Sequence, residues 1–190
     1  MRKYRYIFIF IALLFSCKGN GQTPDPISTH AELNPDFVFS GDYGNLLTLE
    51  MASRITGFDA SKAKKMNAMK GMVGETLRYY WENGREEVKE KSASNRKTVS
   101  CPRSDLVQLK WVDGEADMAS FLDFIDLEAN PELMEIDGVG QRAYWNVEKQ
   151  YIEVYYNGVS FTLQVDISND DNLDKEKTIE LAKLIITEQF

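Results

Sequence analysis

Asp123, Asp126, Glu128, Glu132, Glu135 and Asp137 form a dense run of carboxylates, and paired carboxyls are what glycoside hydrolysis requires. One would act as general acid, and the other as base or nucleophile. Asp123 and Asp126 stand i, i+3 on a stretch with an apolar opposite side, which is the pattern of a solvated helix face. A hydrolase built on Asp123 or Asp137 is therefore the alternative reading. A second acidic segment, Asp166-Ile167-Ser168-Asn169-Asp170-Asp171-Asn172-Leu173-Asp174, alternates oxygen ligands as a calcium loop does. Asp166, Asp170 and Asp174 are its candidate metal ligands. It departs from the EF-hand at the sixth position (Asp171 for Gly) and the twelfth (Lys177 for Glu), so capping of the following helix is the expectation and no metal or cofactor is called for.

Other chemistries are thinly represented. The only histidine is His30, ahead of the folded part, so the domain holds no imidazole for a Ser-His-Asp or Cys-His centre or a His-ligated zinc. Cys101, before Pro102, lacks a thiolate-stabilising setting. With Cys17 set apart by its position, Cys101 has no partner for an intramolecular disulfide. Gly138-Val139-Gly140-Gln141-Arg142-Ala143 has the letters of a dinucleotide fingerprint. That fingerprint must follow a strand and open a helix. Here the pattern opens a strand, and a tight turn is expected.

Hydrophobic periodicity gives the elements that would position these groups. Helices are expected over 45–55, 115–127 and 174–189. Strands are expected over 77–82, 105–112, 141–147, 150–157 and 159–168. Val107, Leu109 and Trp111 should share one face. The last strand alternates most cleanly, with Val159, Phe161, Leu163, Val165 and Ile167 opposite Ser160, Thr162, Gln164, Asp166 and Ser168. Asn157-Gly158 before it is a hairpin signal. Residues 60–75 are polar and Met-rich, and the charged 84–104 segment holds a hairpin through Glu86–Lys91. Runs of neighbouring strands point to an α+β fold. We expect an antiparallel sheet of about five strands, with helices packed mainly on one face.

Strand aromatics exceed what one core needs. Tyr80 and one of the sets Tyr151/Tyr155 or Ile152/Val154/Tyr156 must lie away from the helices, so Tyr80, Trp81, Tyr151 and Tyr155 are the candidate ligand-binding residues.

The N-terminus reads Met1-Arg2-Lys3-Tyr4-Arg5, an apolar run from Tyr6 to Phe15, then Ser16-Cys17. The run falls short of the roughly 20 residues a spanning helix needs and has the parts of a secretory signal peptide. Ser16-Cys17 resembles the lipobox of bacterial lipoproteins. The resemblance implies cleavage before Cys17, lipidation of its thiol with palmitate-type chains, and residence in the cell envelope, most often at the outer membrane. Residues 1–16 are then a signal peptide, 17–41 a lipidated cysteine and flexible tether, and 42–190 one domain. Leu33, Phe37, Val38 and Phe39 are expected to dock the tether's far end. Cleavage removes Arg2, Lys3 and Arg5 from the 22 Lys and Arg and none of the 30 Asp and Glu, leaving a formal charge of −11. That charge excludes a broad phosphate-binding surface and with it a nucleic-acid partner.

Ile136-Asp137-Gly138-Val139-Gly140-Gln141-Arg142-Ala143-Tyr144-Trp145, with a hairpin and an amphipathic helix after it, is similar to the C-terminal half of small uncharacterised bacterial lipoproteins. Those share the fold of the photosystem II P subunit and Mog1. Gln141 stands where an acidic residue is common there. The resemblance, over residues 105–190, implies a fold and transfers no functional residue. Function is thus read as a non-catalytic binding or interaction module held at the membrane by its anchor. It would contact an envelope protein or glycan through an aromatic sheet face or the 60–75 and 84–104 segments. A structural or assembly accessory is the remaining alternative.

Overall fold

A computed structural model describes residues 36–68, 76–90 and 98–190. The signal peptide, Cys17, His30, Leu33 and the 69–75 part of the Met-rich segment lie outside the described residues. The architecture is α+β, with a wholly antiparallel sheet of seven strands rather than about five. In chain order the elements are α1 (Leu49–Thr56), β1 (Lys64–Ala68), β2 (Thr76–Glu90), β3 (Thr98–Asp113), α2 (Met118–Ile125), β4 (Leu133–Glu135), β5 (Arg142–Asn146), β6 (Tyr151–Tyr156), β7 (Val159–Asp166) and α3 (Asp171–Gln189). The sheet order is β1-β2-β3-β7-β6-β5-β4.

The two extra strands are the edges. β1 carries Lys64 and Lys65, and β4 is Leu-Met-Glu. Charge and brevity are how sheets protect their edges from further pairing, and both erase the alternation that marks a strand. Because β4 precedes it, the Gly138–Gly140 segment turns between two strands, with φ of 72° and 59° at its glycines, and not between a helix and a strand. A side chain at Gly140 would meet the Tyr155 carbonyl oxygen at 2.7 Å.

Alternation sorts the faces. Leu77, Tyr79, Trp81, Val107, Leu109, Trp145, Ile152, Val154, Phe161, Leu163 and Val165 form one buried core with Leu47, Met51 and Ile55 of the first helical segment and Leu181, Ala182 and Ile185 of α3. Phe37 stacks on Phe190 at 3.9 Å, and Phe39 also packs on this core, while Val38 is 83% exposed. Trp111 departs from expectation. A β-bulge between Leu109 and Trp111 shifts the register, so Trp111 pairs with Thr162 on the opposite face. There it stacks on Phe124 of α2 at 5.3 Å. Phe121 of α2 lies over Tyr144 and Tyr155, so this helix covers part of the second face and the helices do not all share one side.

Side-chain caps start every α-helix: Thr48 accepts from Met51 N, Asp117 from Ser120 N and Asp170 from Asn172 N. Thr178, fully buried, clips α3 to the sheet. Its hydroxyl accepts from Val165 N at 3.0 Å and donates to the Asp174 carbonyl at 2.7 Å. Thr178→Val keeps the shape but strands the Val165 N–H, a loss of about 1–3 kcal/mol. Urea unfolding should show that loss for Thr178→Val and less than half of it for Thr178→Ser.

Candidate functional site

The polar side of β7 (Ser160, Thr162, Gln164, Asp166) and Ser168 beyond it organise the face opposite the main core. Thr162, Gln164 and Asp166 are each held by side chains of other strands. At the far end stands Arg85, its side chain only 9% exposed. It lies just beyond Gly84, whose φ is 78°, where β2 bulges between Trp81 and Arg85. The bulge turns the guanidinium inward. Nη2 donates to the Asp166 carboxylate at 2.7 Å, to the Asp166 carbonyl at 3.0 Å and to the Ser104 carbonyl at 3.1 Å, while Nη1 donates to the Ser168 carbonyl. Nε lies 2.7 Å from Asp105 Oδ1 as a charge contact, off the axis of a hydrogen bond. Asp105 accepts a true hydrogen bond from Asn83 Nδ2 at 2.8 Å. Arg103 completes the group by bridging Asp166 and Glu87, the latter at 3.0 Å.

Glu87, Arg103, Asp166 and Ser168 of this cluster line a concavity of about 370 Å³, together with Gln150, Gln164, Asn169, Asp171 and Asp174. Asp174 accepts from the Ile167 and Ser168 N–H groups at 3.2 and 3.4 Å, and burial raises its carboxyl above the usual range. Asp166, Asp170 and Asp174 therefore do not converge on one point. Asp166 holds two guanidinium groups, Asp170 caps α3 and Asp174 binds the backbone after β7. Among the described residues no group of three His, Cys, Asp or Glu side chains is placed to hold a metal.

Nearer the middle of the stripe lies a residue the sequence reading passed over. Glu153, 5% exposed, pairs with Thr162 across β6–β7 and accepts its hydroxyl hydrogen. Burial raises its carboxyl to about 7 against the Thr162 hydrogen bond and the charges of Lys110 and Lys149. Lys110, two residues on from Gln108 along β3, stands 4.6 Å from the Tyr151 ring centre, and burial lowers its ammonium. A lone acid between Ile152 and Val154 is the signal that could have found Glu153.

The aromatic candidates divide. Tyr151 and Tyr155 share the polar face with Glu153, whereas Ile152 and Val154 join the main core. Tyr155 is buried under Phe121, and Trp81, 1% exposed, donates its indole N–H to the Asp59 carbonyl at 3.0 Å. Neither offers a ligand surface. Tyr80 and Tyr151 are half-buried, each with a lysine over its ring. Asp123 and Asp137 are both exposed, and Cys101 is half-buried opposite Glu87. Comparison with protein-family models, curated proteins and solved structures finds no match to this chain.

Arg85→Met should cost about 3–5 kcal/mol in urea unfolding by leaving Asp105 and Asp166 buried without their shared cation. Arg85→Lys should recover little of that loss, since one ammonium cannot reach this spread of acceptors. Glu153 has the opposite consequence. Its folded value of about 7 exceeds the ordinary 4.5, so the native state keeps a proton that the unfolded chain has released between those values. Its contribution thus falls as pH rises from about 4.5 to 7, by on the order of 2–3 kcal/mol. Glu153→Gln should gain that much stability on the parent between pH 5 and pH 8. A constant difference between the two would refute it.

Proposed function

We propose that this chain is a lipid-anchored protein of the cell envelope whose domain is a non-catalytic binding module. The supporting observation is the concavity beside Arg103. It has room for a small polar group, and among its charged lining Arg103 is engaged with Glu87 and Asp166, and Asp174 with backbone N–H groups, which supports recognition rather than nucleophilic or proton-transfer chemistry. Glu87, Asp166, Asp171 and Asp174 outnumber Arg103 there, which favours a ligand segment bearing a positive charge, such as an amine of an envelope protein or an amino-bearing glycan. The negative formal charge of the domain argues against nucleic acid.

The anchor rests on the Ser16-Cys17 lipobox after a short apolar run, and the outer membrane is the destination we propose. Two or more acyl chains on Cys17 would hold the domain stably, where one chain would be marginal. The kinship with small lipoproteins of the photosystem II P subunit type is proposed on the glycine turn before β5 and on the order of the elements after it.

Cells fed an alkyne analogue of palmitate should label the parent protein and not Cys17→Ala. Equal labelling would sink the anchor. A photo-crosslinking residue at Asn169, exposed on the rim, should yield a discrete envelope adduct that Asp171→Asn together with Arg103→Gln removes. An adduct indifferent to both changes would refute the binding site.

A further inference from the structure

We propose that Arg78, Lys110 and Lys149 form a second, separate site on the polar face of the sheet, one that binds a tetrahedral oxyanion above the buried Glu153. The first argument is charge. In an acid-rich chain, Arg54, Lys64, Arg85, Arg103, Arg142 and Lys177 all stand in ion pairs. Among the described residues Arg78, Lys110 and Lys149 do not, and neither do Lys62, Lys65, Lys175 and Lys183; what sets the first three apart is their nearness to one another. They are close enough that Arg78 and Lys149 both disfavour the charge on Lys110. Like charges held together over a single acid, Glu153, that burial disposes to its neutral form cost free energy that a bound anion would recover.

The second argument is geometry. Arg78 is fixed from below, its Nε and Nη2 donating to Gln108 Oε1 at 3.1 and 2.8 Å. Gln108 donates to Gln164 at 2.5 Å, and Gln164 reaches the Lys149 carbonyl at 3.5 Å. A hydrogen-bonded track thus joins the strand bearing Arg78 to the turn bearing Lys149, and Lys110 stands two residues on from Gln108 along β3. A guanidinium and two ammonium groups from two strands and a turn suit the divergent oxygens of a phosphate or sulfate group better than one planar carboxylate.

Glu153 links occupancy to protons. The groups facing it are Lys110 from β3, Lys149 from the β5–β6 turn, Tyr144 from β5, Thr162 from β7 and Tyr151 on its own strand. Arg78 acts through Lys110, and the next acid along β7, Asp166, is already bound by Arg85 and Arg103. Protonated, Glu153 leaves the three cations unopposed. Ionised, it competes with the anion, so binding takes up a proton.

The test uses the full chain in nonionic detergent, with inorganic sulfate as probe because its charge is constant from pH 6 to pH 8. The lysine Hε and Tyr151 ring signals should shift saturably, with affinity about tenfold weaker at pH 8 than at pH 6 for a carboxyl titrating near 7. Glu153→Gln should bind equally at both values. Lys110→Gln with Lys149→Gln, its folding verified by a parent-like unfolding midpoint, should abolish the shifts. Vesicles of phosphatidylglycerol that displace sulfate, where phosphatidylcholine vesicles do not, would assign the oxyanion to a lipid headgroup; no displacement by either assigns it to a free solute. Absence of saturable shifts, their survival in the double variant, or a pH dependence that persists in Glu153→Gln would each overturn the site.

Discussion

Arg85 is where β2, β3 and the end of β7 meet. Its guanidinium is buried, and burying a cation is costly unless donors and charge are matched. The match comes from separate parts of the chain: Asp105 and the Ser104 carbonyl on β3, and the Asp166 carboxylate and carbonyl with the Ser168 carbonyl at the end of β7. Satisfying Arg85 therefore fixes how β2 leaves its bulge and where β7 stops. The turn after β7 then delivers the Ile167 and Ser168 N–H groups to Asp174, and α3 starts from that point with Asp170 as its cap. Without the left-handed Gly84 the bulge would be strained and the side chain would not turn under the sheet.

The same constraint explains why the second face of the sheet is polar and yet closed. A sheet with one apolar face normally leaves the other to water. Here Gln108, Glu153, Thr162 and Ser160 are buried, although only Phe121 and its neighbours on α2 pack over the β5–β6 side. The buried groups are tied to one another in the plane of the face: Arg78 to Gln108, Gln108 to Gln164, Thr162 to Glu153. Buried polar groups of this kind are tolerable when they are hydrogen-bonded. They also hold register, because a one-residue slip of β7 would carry Thr162, Gln164 and Asp166 into the Leu163–Phe161 core.

What the sequence made legible follows from which signals are local. The alternation of β7 and the Asn157-Gly158 turn are short-range, and both appear as expected. So does the turn at Gly138–Gly140. β1 and β4 escaped because edge strands are short or charged by physical necessity. Trp111 was assigned to the wrong face because a bulge inserts one residue and no propensity announces it. The candidate site was harder still. Arg85, Asp105, Asp166 and Arg103 lie on three strands and meet only through register. The acidic residues that stood out as a run, such as Asp123 and Asp137, are exposed. Glu153, an unobtrusive acid in an apolar strand, is the one that burial perturbs to about 7.

Charge is distributed along the polar stripe in two regimes. Toward Ser168 the carboxylates outnumber the guanidinium groups, with Asp166 held by Arg85 and Arg103 and Asp174 by backbone N–H groups. Toward Thr162 the balance reverses, with Lys110 and Lys149 near a carboxyl that favours its neutral form. Gln164 belongs to both, since it lines the concavity and also closes the hydrogen-bond track from Arg78. An amide suits that junction because it donates on one side and accepts on the other without adding charge to either. The two regimes therefore share a neutral post, and each would suit a ligand of the opposite sign while Arg85 keeps the strands beneath them in register.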